Sequence, residues 1–287
     1  MTSGPAAGRN PLMTTTLRPT GPLQRDTDGM RSRTYQVCVN SRPVGTAELA
    51  THPVFGPTVG QVRHLAIDEP DRRRGRATVA ALAAEEVLRG WGCTRVEVTI
   101  PATAPAALSL AEALGYIERN RRMAKPLDTG APPELPEGST VRPMTDAEYA
   151  PWLAQAQAAY AQTWIERGVP EDQANAKSAS DHAWLLPDGP ATPGTSLLVL
   201  AHEGTEVGTL WLVVNDDGAF VYDVEVVEAH RGRGHGRTLM LLAERDGVRG
   251  GADAIGLNVF AGNTPALRLY ESLGYQPVTY YLHKSLR

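Results

Sequence analysis

A chain of 287 residues, 42% hydrophobic and 21% charged, has the balance of a folded protein and the length for two cores of ordinary size, which excludes a disordered or low-complexity chain. The formal net charge of −4 leaves no basic excess for a phosphate backbone, so nucleic acid is not expected as a partner. Two cysteines, Cys38 and Cys93, are too few for a disulfide framework and lack metal-ligand spacing; they are expected to be reduced and buried, with no metal site.

Residues 1–14 read as a flexible leader. Met1 to Leu12 carry Gly, Pro and Asn where a secretory signal needs a continuous apolar stretch, and Met13 equally suits an alternative start. With no later apolar run of membrane-spanning length, a cytoplasmic protein without membrane association is expected. Leu17-Arg18-Pro19 opens the first strand. Alternating residues at Tyr35–Val39, a turn, and Val44-Gly45-Thr46 predict two further strands, followed by an apolar strand at Val62–Ile67. After an Arg/Gly loop, Ala80, Ala83, Ala84, Val87 and Leu88 fall on one face of a helix. A strand at Arg95–Ile100, a short helix and a closing strand complete the plan. Asp128 to Ser139 holds three Pro and two Gly, a composition that supports neither helix nor central strand and marks a linker at 128–139.

The same order then recurs. A shift of 159 places Arg72 on Arg231, Gly75 on Gly234, Glu85 on Glu244, Gly92 on Gly251, Leu114-Gly115-Tyr116 on Leu273-Gly274-Tyr275 and Lys125 on Lys284, without a gap. This is an internal duplication. Val141-Arg142-Pro143 opens the second copy, and Leu197–Ala201, Val207-Gly208-Thr209, Phe220–Val227 and Ala254–Phe260 repeat the strands. Arg18 to Arg72 is 54 residues and Arg142 to Arg231 is 89, so the second copy carries 35 more. These read as helices: Asp146 as N-cap, Trp152, Ala156, Ala159, Tyr160 and Thr163 at helical spacing, and a second helix starting at Pro170 and running through Ala174 and Lys177. The expected architecture is α+β with a mixed sheet, divided into 15–127, the linker, and 140–287.

The strongest chemical signal is Arg231-Gly232-Arg233-Gly234-His235-Gly236, set between a strand ending near Val227 and a helix beginning near Arg237. Glycines let backbone approach a ligand closely, and free N–H groups at a helix start attract anions, so this loop suits a pyrophosphate. The blander reading is an Arg/Gly-rich surface turn. A dinucleotide-binding loop does not fit, because no clear βαβ unit supplies a ribose-binding acid.

Arg231, Gly234 and Gly236, with the later run Asn258-Val259-Phe260-Ala261-Gly262-Asn263, Ala266, Leu269-Tyr270-Glu271 and Leu273-Gly274-Tyr275, resemble the GNAT superfamily of acetyl-CoA-dependent acyltransferases. The resemblance covers about residues 140–287 well and about 15–127 more weakly. It implies two tandem GNAT folds, the first shortened, each with two central strands splayed to admit the pantetheine arm of acetyl-CoA. It also implies cofactor contacts from Val224, Val226, Val227, from Arg231 through Thr238, and from Asn258, Asn263, Ala266 and Tyr270. Tyr270 matches the tyrosine that protonates the leaving thiolate; its alternative is an aromatic on a short helix. Asn263 bonds pantetheine or caps the following helix. Asp223 and Glu225 share a strand face opposite Val224 and Val226, and Glu225 is the first choice of general base, a water relay or a plain salt bridge being the alternatives. His230 and His235 read as surface or anion contacts. Glu148, Tyr160, Trp164, Glu166 and Asp172 would suit a cationic amine without identifying one.

In the first copy Asn263, Tyr270, Glu225 and Gly236 become Ala104, Ala111, Ala66 and Ala77. Arg72, Gly75 and Ala77 keep the loop pattern as a possible second site, although Arg73 crowds it. The expected activity is therefore acetyl transfer to a primary amine of a small molecule by the second copy, with a structural or regulatory first copy, in a monomer or homodimer. The tandem plan with one impaired half also resembles mycothiol synthase in architecture. A non-catalytic acetyl-CoA sensor is the reading from another class.

Overall fold

The structure is a computed structural model that describes residues 15–166 and 168–286; the expected leader lies outside them. The chain forms two compact units. One comprises the residues through Thr99, Ala106–Ile117 and the chain from Leu282; the other comprises Ile100–Pro105 and Glu118–Tyr281. Each is a mixed α/β layer structure in the plan expected from the repeat.

The first unit starts with β1 (Thr15–Pro19), the short β2 (Gln24–Arg25), β3 (Arg31–Val39), β4 (Arg42–His52) and β5 (Gly56–Ile67), then α1 (Arg76–Gly90), β6 (Arg95–Pro101) and α2 (Pro105–Ala113). Its strands lie in the order β1-β3-β4-β5-β6, with β2 on β3 and only β5–β6 parallel. Asn40 and Ser41, at φ 48 and 66, make the tight two-residue turn whose twist suits the β3–β4 hairpin. On α1, Ala80, Ala84 and Leu88 are fully buried, as their spacing predicts, and Glu85 is buried with them.

The second unit contains most of β7 (Ile117–Pro126), then β8 (Ser139–Pro143), α3 (Asp146–Ile165), α4 (Glu171–Leu185), β9 (Thr195–His202), β10 (Thr205–Asn215) and β11 (Gly218–Val226). After these come α5 (His235–Arg249), β12 (Ala254–Phe260), α6 (Thr264–Ser272) and β13 (Gln276–Ser285). Strands run in the order β7-β12-β11-β10-β9-β8, with only β11–β12 parallel. One face packs α5 and α6 over Leu198, Leu200, Leu210, Leu212, Val221 and Leu257. The other packs Met144, Trp152 and Leu186 over Leu197, Val199 and Trp211. The 35 extra residues are the two helices α3 and α4, as expected. Helix α3 is capped one residue earlier than Asp146: the Glu148 carboxylate accepts from the N–H of Thr145 at 2.8 Å, closing a capping box.

Division along the chain and division in space differ at the closing strands. β7 closes the first copy in sequence, yet residues 120–126 pair antiparallel with β12 in the second unit. The end of β13 lies in the first unit, where Leu286 N–H donates to the Thr94 carbonyl at 2.8 Å. Two buried carboxylates depend on this exchange. Glu244 on α5 receives Lys125 Nζ of β7 at 2.8 Å, and Glu85 on α1 receives Lys284 Nζ of β13 at 2.7 Å. Each lysine thus neutralises the glutamate of the other copy's helix, a requirement for burying a charge.

Candidate active site

Strands β11 and β12 pair only over Ala219–Val221 and Ile255–Leu257. Beyond that point Tyr222–Val226 stays on β10 and Asn258–Phe260 stays on β7, so the two segments part and their facing backbone edges open a cleft. Amide groups on those edges are of the kind a pantetheine arm can satisfy. The cleft leads to the glycine loop. Gly232 and Gly234 have φ of 75 and 91, a left-handed backbone that suits glycine, and Gly234 is the N-cap of α5 without a side-chain cap bond. The first N–H groups of α5 are thereby left to an external anion. Arg231 Nε donates to the Val226 carbonyl at 3.1 Å, pinning the loop to β11. A Cβ at Gly236 would approach Leu269 to 3.3 Å, so the helix start backs onto α6. Arg237 Nη2 reaches Ser272 Oγ at 2.6 Å, and Thr238 N–H closes the first helical turn on the Gly234 carbonyl at 3.1 Å.

The acids owe their placement to a bulge. Leu212 faces Val221 but Trp211 faces Asp223, which leaves Tyr222 as the extra residue. Ala219 and Val221 therefore point into the α5 core, and so do Val224 and Val226 past the slip. Asp223 and Glu225 take the opposite face, toward α3. Burial first, and the neighbouring Glu225 charge second, push Asp223 up to about 6, against a backbone hydrogen bond at Val224 that lowers it. Tyr270 on α6 is buried, and burial followed by the Asp223 charge pushes its phenol up to about 12. Glu225 accepts from the Gln155 amide of α3 with both oxygens, at 3.2 and 3.1 Å.

Other expected residues have specific places. Asn263 Oδ1 accepts the Ala266 N–H at 3.2 Å as N-cap of α6, the helix-capping alternative of its two readings. Asn258 is an exposed residue of β12 beside Arg122. Val227 caps a one-turn 3₁₀ helix at Glu228–His230, its N–H on the Val207 carbonyl at 3.0 Å. His235 is buried beside His202 and His230, with ring centroids 5.2 and 6.3 Å away; burial, then those two histidines and Arg233, hold its pKa below the usual value. On the inserted helices, Glu148 is committed to Arg142 at 2.6 and 2.8 Å and to its capping box. Tyr160 donates to Asp181 at 3.1 Å, and Trp164 lies between the Arg119 guanidinium at 4.8 Å and the Lys177 ammonium at 5.3 Å, edge-on to Phe260. Glu166 ends α3 and Asp172 sits in the first turn of α4. Two contributors went unread in the sequence: Gln155, an ordinary polar residue on a helix, and the Tyr222 bulge, visible as a slip in the apolar positions 219, 221, 224 and 226.

In the first unit Arg72 Nε holds the Ile67 carbonyl at 2.8 Å and Gly75, at φ 72, caps α1, reproducing the loop. Arg73 takes φ 57, unusual for a side chain of its size. Ala77 replaces the glycine of the second loop. A cavity of about 280 Å³ in this unit is lined by Arg25, Asp26, Arg31, Ser32, Thr51 and Arg63 among others, none of them a residue of the loop. Among the described residues no cluster of three His, Cys, Asp or Glu side chains could hold a metal, and no helix is long and apolar enough to cross a membrane.

Residues 11–116 and 155–275 match the acetyltransferase (GNAT) family. The chain is 30% identical over 262 residues to mycothiol acetyltransferase of Thermomonospora curvata, spanning 85% of this chain and 79% of that relative. To the uncharacterized N-acetyltransferase YycN of Bacillus subtilis it is 31% identical over 151 residues, 50% of this chain and 96% of the relative. The GCN5-related N-acetyltransferase from Sphaerobacter thermophilus shares the fold, with a TM-score of 0.57 at 22% identity over 88% of this chain and 81% of that one. Both copies carry the family match and both build its glycine loop: the chain belongs to the GNAT acetyltransferase family and is a tandem acyltransferase.

Proposed function

We propose that the second unit transfers the acetyl group of acetyl-CoA directly to a primary amine of a small molecule, with Asp223 as base and Tyr270 as acid. Acetyl-CoA, when bound, supplies the acetyl thioester. Arg231 through Thr238 hold its pyrophosphate, and Val224, Val226 and Asn258 line its arm. The amine nitrogen forms the new C–N bond as the C–S bond breaks; Asp223 takes the proton from nitrogen and Tyr270 gives one to sulfur. What carries the reading is the pairing of Asp223, at about 6, with Tyr270, at about 12, at the splayed strands. A carboxylate titrating just below neutrality is ionised at pH 7 and still a useful base, and such a phenol stays protonated. Glu225, the first choice from sequence, is read instead as the charge that receives the ammonium form of the acceptor, because both its oxygens accept from Gln155.

The first unit is read as structural or regulatory, its loop at Arg72, Gly75 and Ala77 being a possible second acetyl-CoA site. The test is acetyl transfer by the full chain to a panel of primary amines. Asp223→Asn and Tyr270→Phe should each lower kcat while acetyl-CoA affinity is kept; wild-type turnover in either variant removes that residue from the chemistry. A mycothiol-type acceptor is favoured by the relative spanning 85% of this chain. Tight acetyl-CoA binding with no transfer to any amine would favour the sensor reading, which the retained Tyr270 opposes.

A further inference from the structure

We infer that Gln155 is a positioning residue for the acid pair: its amide reaches from α3 to fix Glu225 beside Asp223 and so governs how readily Asp223 takes a proton. The inference rests on the proposed role of Asp223 and adds a residue to it. Gln155 belongs to the helices that only the second copy carries. Its Nε2 donates to Glu225 Oε1 at 3.2 Å and Oε2 at 3.1 Å, so the carboxylate is gripped by both oxygens.

The choice of glutamine has chemical content. An arginine at this place would hold Glu225 as firmly, but its charge would cancel that of the carboxylate at Asp223. A neutral amide holds without cancelling. Among the described residues neither acid has an ion-pair partner. The groups facing Asp223 are Glu225 on its own strand, Tyr270 from α6, and Trp211 across β10, which is uncharged. From β7, Arg122 lies 5.4 Å over the Phe220 ring and partly offsets the burial that pushes the neighbouring Tyr222 phenol up. The negative charge that Gln155 fixes thus has no ion-pair partner among the described residues. Without the amide, Glu225 swings outward, its charge averages over a longer distance, and Asp223 loses the smaller part of its elevation that Glu225 supplies, while burial keeps the larger part.

A double-mutant cycle on the full chain tests this. The titration of Asp223 is followed by carboxyl ¹³C resonances, assigned by their loss in Asp223→Asn, in wild type, Gln155→Met, Glu225→Gln and the double variant. Gln155→Met should lower the Asp223 midpoint by several tenths of a pH unit, and it should have no further effect once Glu225 is Gln. An unmoved midpoint in Gln155→Met, or an equal drop in the Glu225→Gln background, overturns the inference. The acid limb of kcat, read from thiol release with acetyl-CoA and the best amine of the panel, should move with the midpoint. A moved midpoint with a fixed acid limb upholds Gln155 as positioning residue and overturns Asp223 as base.

Discussion

The two units build the same bulge and fill it with different chemistry. In the first, Leu49 faces Val62 and Glu48 faces His64, leaving Arg63 as the extra residue, just as Tyr222 is in the second. Where the second unit has Trp211, Tyr222, Asp223 and Glu225, the first has Glu48, Arg63, His64 and Ala66. Those side chains serve one another: Arg63 lies 3.5 Å from Glu48, and the His64 ring is 3.1 Å from Thr46 Oγ1. The comparison separates two things that usually travel together. Backbone geometry is maintained by packing that any β-rich sequence can supply, whereas the site needs particular groups at particular places. The first unit retains the frame and the loop but has neither the acids nor a tyrosine at Ala111.

Four changes break or sharpen that contrast. The largest effect is expected at the loops. Gly234→Asp should weaken acetyl-CoA binding by about a hundredfold or more, since a carboxylate would face the pyrophosphate and like charges at close range cost several kcal/mol. Gly75→Asp in the other loop should leave turnover within a small factor. Calorimetry on both variants gives the answer, and equal affinity loss in the two would mean that the units share the work. Next is the strand exchange. Lys125→Met leaves Glu244 buried without its cation, and Lys284→Met does the same to Glu85, each costing about 3 kcal/mol. Denaturant unfolding should show both losses. A fragment of residues 140–287 lacks β7 and its lysine altogether, and should be less stable than one that begins at residue 118.

A smaller effect is expected from pH. At saturating substrates kcat should fall about tenfold per unit below a midpoint near the Asp223 value of about 6, because the base must be ionised. Tyr270, at about 12, should impose no matching loss between pH 7 and 9. An acid limb that persists unchanged in Asp223→Asn would belong to another group.

What could be read beforehand follows the range of the interactions. The duplication, the linker and the glycine loop are local patterns, and Arg72 and Arg231 perform the same backbone clip in both units. The exchange of closing strands left no such trace. Lys125 aligns with Lys284 and Glu85 with Glu244 whichever unit each strand joins, so the repeat itself conceals the partner choice. Gln155 was equally silent, because an exposed helical glutamine has no signature until the carboxylate opposite it is known. The choice between Glu225 and Asp223 as the proposed base is of a related kind: strand alternation puts both on one face, and the burial that raises Asp223 comes from packing that the strand pattern does not show.

The smallest expected effect concerns the cluster behind each loop. In the first unit Asp71 is buried against Arg42, at 2.7 and 3.0 Å, and against Arg76. At the corresponding places the second unit has His230 and His235, with His202 beside them. Folding holds His235 below its usual pKa, so between the folded and unfolded values the unfolded chain binds more protons. By linkage, stability is then present above the unfolded value and is lost as pH falls toward the folded one. Acidification from pH 7 to 5 should therefore lower the unfolding temperature of the wild type more than that of His235→Gln, which has no proton to gain. Arg42→Gln should leave that difference untouched, since Arg42 pairs with Asp71 in the first unit and not with the histidine cluster. Parallel pH dependence in wild type and His235→Gln would show that the imidazole reaches water freely and that the two clusters differ in composition but not in their response to acid.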